Sequence, residues 1–108
     1  MGEILVQRDD QNRILCLSGR DIPTGGVAAA SLFHLLQAGV GSMVDYLHVD
    51  PAEFLLGEEI RLVVDRSDPH LNREIDAIME TLVIGLKILA KEYPSDLVVQ
   101  EATVGMQV

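Results

Sequence analysis

The sequence of 108 residues is poor in several residue types that would announce a function. It has a single cysteine, Cys16, so no disulfide can close within the chain and nothing points to an oxidising compartment. Tryptophan is absent and aromatics are 4%, which leaves Leu, Ile, Val and Ala to build the core. Basic residues are few: 8 Lys and Arg stand against 17 Asp and Glu, for a formal charge of −9. Nucleic-acid backbones and anionic membranes are bound by Lys and Arg clusters, and none exists here, so neither is expected as a partner. The N-terminal residues lack a basic segment followed by a long apolar run, so no signal peptide is expected. The longest apolar runs, Val27–Leu36 and Leu82–Ala90, are broken by His34 and Lys87 and are too short to span a bilayer. These absences lead to the expectation of a cytoplasmic protein.

Cofactor and metal signatures are also missing. His34, His48 and His70 are 14 and 22 residues apart, without the i, i+4 or Cys-x-x-Cys spacing of a metal site. Gly25-Gly26 is not accompanied by Gly-x-Gly-x-x-Gly or Gly-Lys-Ser/Thr, so it reads as a helix-entry turn and not as a phosphate cradle. Neither cofactor nor metal is expected.

With 48% apolar residues and no repeat, linker or low-complexity segment, the chain reads as one domain over residues 1–108. Glu3–Arg8 and Arg13–Gly19 are apolar-rich runs separated by Asp9-Asp10-Gln11-Asn12, whose short polar side chains favour turns, so a β-hairpin is expected. Leu15 and Leu17 would share one face, Ile14 and Cys16 the other, and a sheet apolar on both faces calls for cover on both. Cys16 itself reads as a small buried hydrophobe.

The next stretch, Gly19–Leu36, runs from strand through loop to helix. Pro23, Gly25 and Gly26 break a helix and Ala28-Ala29-Ala30 favour one, which sets the helix start at Thr24 or Gly25 with Thr24 as a cap. Gly39-Val40-Gly41 is expected to end it. Its apolar residues wrap most of its circumference, so burial nearly all round is expected. Met43–Val49 and Glu59–Asp65 are strand candidates, and Asp50–Gly57 between them is left open between a helical turn and a loop. Ser67 or Asp68 caps a second helix with Pro69 at its first position. Leu71, Ile75, Ile78, Leu82 and Leu89 recur along it at helical spacing until Tyr93-Pro94. Leu97–Val104 supplies a last strand, and Gly105–Val108 is expected to fray. The fold class is therefore α/β (α+β) in the order β-β-α-β-β-α-β, a mostly antiparallel sheet with two main helices.

Two stretches together resemble the ribosomal-processing cysteine proteases of the Prp family. Met79–Pro94, followed by a short apolar strand, is similar to that family's C-terminal part. Ser18-Gly19-Arg20 stands where the family has Gly-His, and Val27-Ala28-Ala29-Ala30-Ser31 stands where it has Cys-Ala-Ala-Val-Ser. The resemblance covers almost the whole chain. It implies a small dimeric α/β protein and, in active members, a thiol protease that trims the N-terminal extension of a large-subunit ribosomal protein. A thiol protease needs a thiolate and a histidine beside it. The two positions here read Val27, which is no nucleophile, and Arg20, which stays protonated and is no base. His34, about two turns along the helix, is out of reach of the junction.

The reading is a Prp-like homodimer without protease activity. It keeps a peptide- or protein-binding groove at Gly19, Arg20, Asp21, Thr24, Gly25 and Gly26, with a ribosomal protein or peptide segment as the partner class. Arg20 would receive a carboxylate or pair with Asp21. The alternatives are a relocated protease site and a small-anion binder built on Arg20 and the helix start. The apolar first helix and the two-faced hairpin favour the dimer.

Overall fold

The computed structural model describes residues 1–104, so the expected fraying of Gly105–Val108 lies outside the described residues. The hairpin forms as its turn residues dictate. β1 (Gly2–Arg8) and β2 (Ile14–Arg20) pair antiparallel. Between them the Asp9 carboxylate accepts from the backbone N–H of Gln11 at 2.8 Å and of Arg13 at 2.9 Å. Asn12 takes the left-handed conformation that its side chain tolerates (φ 68°).

Arg8 pairs with Ile14 but Gln7 pairs with Cys16, so Leu15 is an extra residue in the ladder. This bulge changes the expected facing at the start of β2: Ile14 joins Leu17 in the core, while Cys16 keeps its expected place on the face opposite Leu17, beside Gln7 and Val63. Alternation counted along the sequence fails here because a bulge leaves no signal in apolar content.

α1 (Val27–Gly41) starts later than Thr24 or Gly25 and does not stop at Gly39-Val40-Gly41. It continues into a π-helical turn, Ser42–Tyr46, so the strand expected at Met43–Val49 is absent. Gly39 is buried and serves close helix packing instead of a cap: a Cβ there would lie 3.0 Å from Leu82 Cδ2. The chain leaves helix at Leu47, with left-handed His48 (φ 59°) turning it. The missing strand is made next door. Asp50–Gly57, undecided from sequence, holds the short strand β3 (Glu53–Leu55), which pairs antiparallel with β4 (Ile60–Val63).

Asp68 accepts from the His70 backbone N–H at 3.0 Å, and Pro69 opens a single 3₁₀ turn that leads into α2 (Asn72–Glu92). β5 (Leu97–Thr103) then pairs parallel with β1, giving the order β3-β4-β2-β1-β5. The architecture is α+β as expected: a mixed, mostly antiparallel five-stranded sheet with two helices. Ile4, Val6, Leu17 and Leu62 of the sheet meet Leu32, Leu36, Met79 and Leu86 of the helices in an aliphatic core.

The helices cover one sheet face only, so the expectation of cover on both faces fails. The other face carries Leu5, Cys16 and Val63 among Glu3, Gln7 and Arg61. Burial of α1 all round fails as well, since Ala28, Ala29, Leu32 and Leu36 are buried while Val27, Ala30, Ser31, His34 and Ala38 are exposed. By length and composition Val27–Tyr46 is apolar enough to cross a membrane, longer than the runs read from sequence. Leu32, Leu36 and Met43 of this stretch pack into the core of the domain.

An ion-pair cluster fastens the hairpin to α2 and β5. Arg8 donates to Glu80 Oε1 at 3.0 Å and to Glu101 Oε1 at 2.8 Å, and Lys87 pairs with Glu101. Arg13 and Arg66 share Asp76, Arg66 Nη2 lying 2.9 Å from Oδ1 as a charge contact outside hydrogen-bond geometry. Hydrogen bonds from Lys87 and then Arg8 hold the Glu101 carboxyl below its ordinary range. A depressed carboxyl binds its proton less readily folded than unfolded, so its stabilisation is complete above the unfolded pKa and is lost as pH falls through the folded one. Thermal melts of Glu101→Gln are expected to show a shallower loss of stability on acidification than the parent; equal slopes would remove Glu101 from the acid limb.

Candidate functional site

The end of β2 is where the sequence places its strand-loop-helix junction, and the loop is held by apolar packing at one residue. Ile22 is buried, and its N–H donates to the Glu58 carbonyl at 3.0 Å. Gly19 lies beneath it: a Cβ there would meet Ile22 Cδ1 at 3.2 Å, Ile60 Cβ at 3.3 Å and the Glu3 carbonyl oxygen at 3.4 Å. Two of these three neighbours cannot swing away. Gly19→Ala is therefore expected to cost about 1–3 kcal/mol by overpacking, measured by urea unfolding.

Arg20 is the first exposed residue after this anchor, its side chain 74% exposed. It donates from Nε to Glu3 Oε2 at 2.7 Å, its cross-strand neighbour, so its partner is Glu3 and not Asp21. That pair keeps the guanidinium firmly protonated. Asp21 takes a left-handed conformation (φ 54°) that turns the chain off the sheet. Thr24, Gly25 and Gly26 follow as exposed loop. The N-cap of α1 is Gly26 (φ 94°) with no side-chain cap, so Thr24 is not the cap it was expected to be. The first turn of α1 has no acidic residue, and Val27 opens it 67% exposed.

Two shallow depressions flank the junction. One, about 360 Å³, is lined by Arg20, Asp21, Ile22, Glu58 and Glu59. The other, about 350 Å³, lies on the open sheet face between Glu3, Leu5, Ser18, Arg20 and Gln100. Gly19 and Arg20 line the second, and Arg20 and Asp21 the first, whereas Thr24, Gly25 and Gly26 line neither. The acidic wall formed by Glu58 and Glu59 was not legible from sequence: it comes from the β3–β4 turn and is joined to the loop by the Ile22–Glu58 hydrogen bond.

No family model and no curated protein matches the sequence. Solved structures do match. SMU.848 from Streptococcus mutans superposes with a TM-score of 0.81 at 12% identity, over 96% of each chain. The essential ribosomal processing protease Prp from S. aureus, in complex with a covalently linked product peptide, superposes with a TM-score of 0.80 at 15% identity, over 94% of this chain and 100% of that one. The chain has the Prp fold. The same S. aureus protease with a substrate peptide gives 0.79 at 14% identity.

On this Prp fold the only thiol sits away from the junction loop. Cys16 is 5% exposed, on the open face of the sheet between Gln7 and Val63. Burial pushes its thiol pKa up; Arg61 pulls it down and Glu53 pushes it up again, and those two are themselves paired at 2.8 Å. The net direction is upward, away from a thiolate. His34 and His48 are exposed, and His70 stands beside Asp68, its Nδ1 3.2 Å from Oδ1. Among the described residues no group of three or more His, Cys, Asp or Glu is placed to hold a metal.

Proposed function

We propose that this chain is a Prp-like protein without protease activity. It keeps a dimeric scaffold and a groove for a peptide or protein segment along Gly19–Val27, and its partner class is a ribosomal protein or a segment of one, met in the cytoplasm. The observation that carries this reading is the state of Cys16: the one thiol is buried in a strand with its pKa raised, so it is neither reachable nor ionised at neutral pH. The junction offers Val27 and Arg20 in its place, which supply no nucleophile and no base. What the junction does offer is a rigid start at Gly19, an exposed loop, and depressions on both sides of Arg20. These features suit holding an extended segment more than cutting it.

The test is incubation of the purified protein with a peptide spanning a ribosomal-protein N-terminal extension, with and without a thiol alkylating agent, followed by mass analysis of the peptide. An intact peptide in both arms is expected. Cleavage that alkylation abolishes would favour a relocated cysteine-protease site instead.

A further inference from the structure

The two edges of the sheet are built differently. On one side the sheet ends in β3, whose 3 residues offer little to pair with. On the other it ends in β5, whose 7 residues pair with β1 in unbroken register, from Leu97 opposite Gly2 to Thr103 opposite Arg8. The Gly2 N–H donates to the Asp96 carbonyl at 2.9 Å and the Val104 N–H to the Arg8 carbonyl at 2.7 Å, so the even-numbered residues along this strand direct their backbone at β1. Strand alternation then aims the N–H and C=O groups of Val99, Glu101 and Thr103 outward. Among the described residues no strand or loop pairs with them, and β5 has no proline, lysine or bulge to blunt the edge.

Beside the first half of β5 lies a hollow of about 350 Å³, between Ala90, Pro94, Leu97 and Val99. Both lysines of the chain, Lys87 and Lys91, stand at it, one helical turn apart on α2. A second hollow, also about 350 Å³, lies beside the other half and is lined by Arg8, Asn12 and Thr103. In a chain with a formal charge of −9 and only 8 basic residues, Arg8, Lys87 and Lys91 therefore all border one strand. Arg8 and Lys87 are held by Glu101, whereas Lys91 is exposed and in no ion pair among the described residues. Lysines beside an open edge discourage uncharged strands from pairing there, and the same charge favours a strand that brings a carboxylate.

We propose that the outer edge of β5 is a docking site for an extended acidic segment of another protein, added to the sheet as a further strand. Main-chain hydrogen bonds to Val99, Glu101 and Thr103 hold the segment. An apolar side chain seats in the hollow against Ala90 and Pro94, and a carboxylate two positions away, on the same face of the segment, reaches Lys91. The proposal does not rest on the junction groove or on the absence of protease activity.

The experiment is residue-resolved amide hydrogen exchange of the isotopically labelled full chain, with acetyl-Thr-Val-Thr-Glu-Thr-Val-Thr-amide as the probe. Its valines and glutamate share one face in either strand direction. With the peptide at about ten times its dissociation constant, the N–H groups of Val99, Glu101 and Thr103 are expected to exchange about tenfold more slowly. The same peptide with lysine in place of glutamate is expected to bind about three- to tenfold more weakly. The fully N-methylated peptide, which donates no main-chain hydrogen bond, is expected to give no protection. Lys91→Glu, a change at an exposed side chain, is expected to reverse the preference between the glutamate and lysine peptides, and Lys91→Arg to keep it. Absence of protection at millimolar peptide, protection confined to other amides, or equal protection by the N-methylated peptide would overturn the proposal. Equal binding of the two charged peptides, or a preference that Lys91→Glu leaves unchanged, would overturn it as well. So would protection of the same three amides that grows with protein concentration without peptide, which would assign the edge to a second copy of the chain.

Discussion

Val27→Cys is expected to react with iodoacetamide at neutral pH about a thousandfold faster than Cys16, or more. Two effects multiply to give that ratio. A cysteine at position 27 would open a helix of 15 residues whose N-cap is Gly26, with no side chain capping the first turn and no acid in it. The unpaired N–H groups there favour a thiolate, and each unit by which the pKa falls raises the thiolate fraction about tenfold near neutral pH. Cys16 has the opposite environment: 5% exposed, between strands, its pKa raised by burial. It reacts only through openings of the sheet. Mass spectrometry of the single variant reads both sites in one sample, and comparable rates at the two would contradict the placement of Cys16. The variant is still expected to leave a substrate peptide intact, because Arg20 remains protonated and paired with Glu3.

Leu36→Ala carries the second large effect, an expected loss of about 2–5 kcal/mol in urea unfolding. Leu36 is fully buried on the inner face of α1 and belongs to the core that joins helices to sheet. Truncating it removes apolar burial and leaves a cavity with no flexible polar group to fill it. Against a total of about 5–15 kcal/mol for an ordinary domain, this is a large share. Val27→Ala, nine residues earlier on the exposed side of the same helix, is expected to change stability by about 0.5 kcal/mol or less. Equal losses at the two positions would mean that α1 does not use the face described here to cover the sheet.

The elements that sequence makes plain are those whose signals are local. The Asp9–Asn12 turn is closed by its own carboxylate, and Asp68-Pro69 opens a 3₁₀ turn, after which the second helix begins at Asn72, later than its capping residues suggest. The elements it obscures depend on contacts made far along the chain. Met43, Val44 and Leu47 alternate and cluster well enough for either strand or helix, and packing of Met43 into the core makes them a helical continuation. Gly39 has the composition of a stop signal but is a contact point for Leu82. β3 is three exposed residues, held by pairing with β4, and had too little apolar pattern to be found. The bulge at Leu15 moved Ile14 from the face of Cys16 to the core face of Leu17, which no count of alternating residues would reveal.

The same division runs through the junction. Gly19, Arg20 and the break before α1 stand out in sequence because glycine and proline punctuate a chain. Glu3, Ile22, Glu58 and Glu59, which hold or line the loop, come from three separate segments and acquire their relation only when β1, β2 and β4 pair. Thr24 and Gly25 were placed by local propensity and lie outside both depressions.

The most direct test of a peptide groove without protease chemistry is an amide chemical-shift titration of the isotopically labelled protein. The ligand is a peptide spanning a ribosomal-protein N-terminal extension, and the peptide mass is read at the end of the titration. The account predicts saturable shifts concentrated at Gly19–Val27 and neighbouring Glu58 and Glu59, with the peptide recovered intact. Recovery of a cleaved peptide, or saturable shifts confined to surfaces away from that loop, would contradict it.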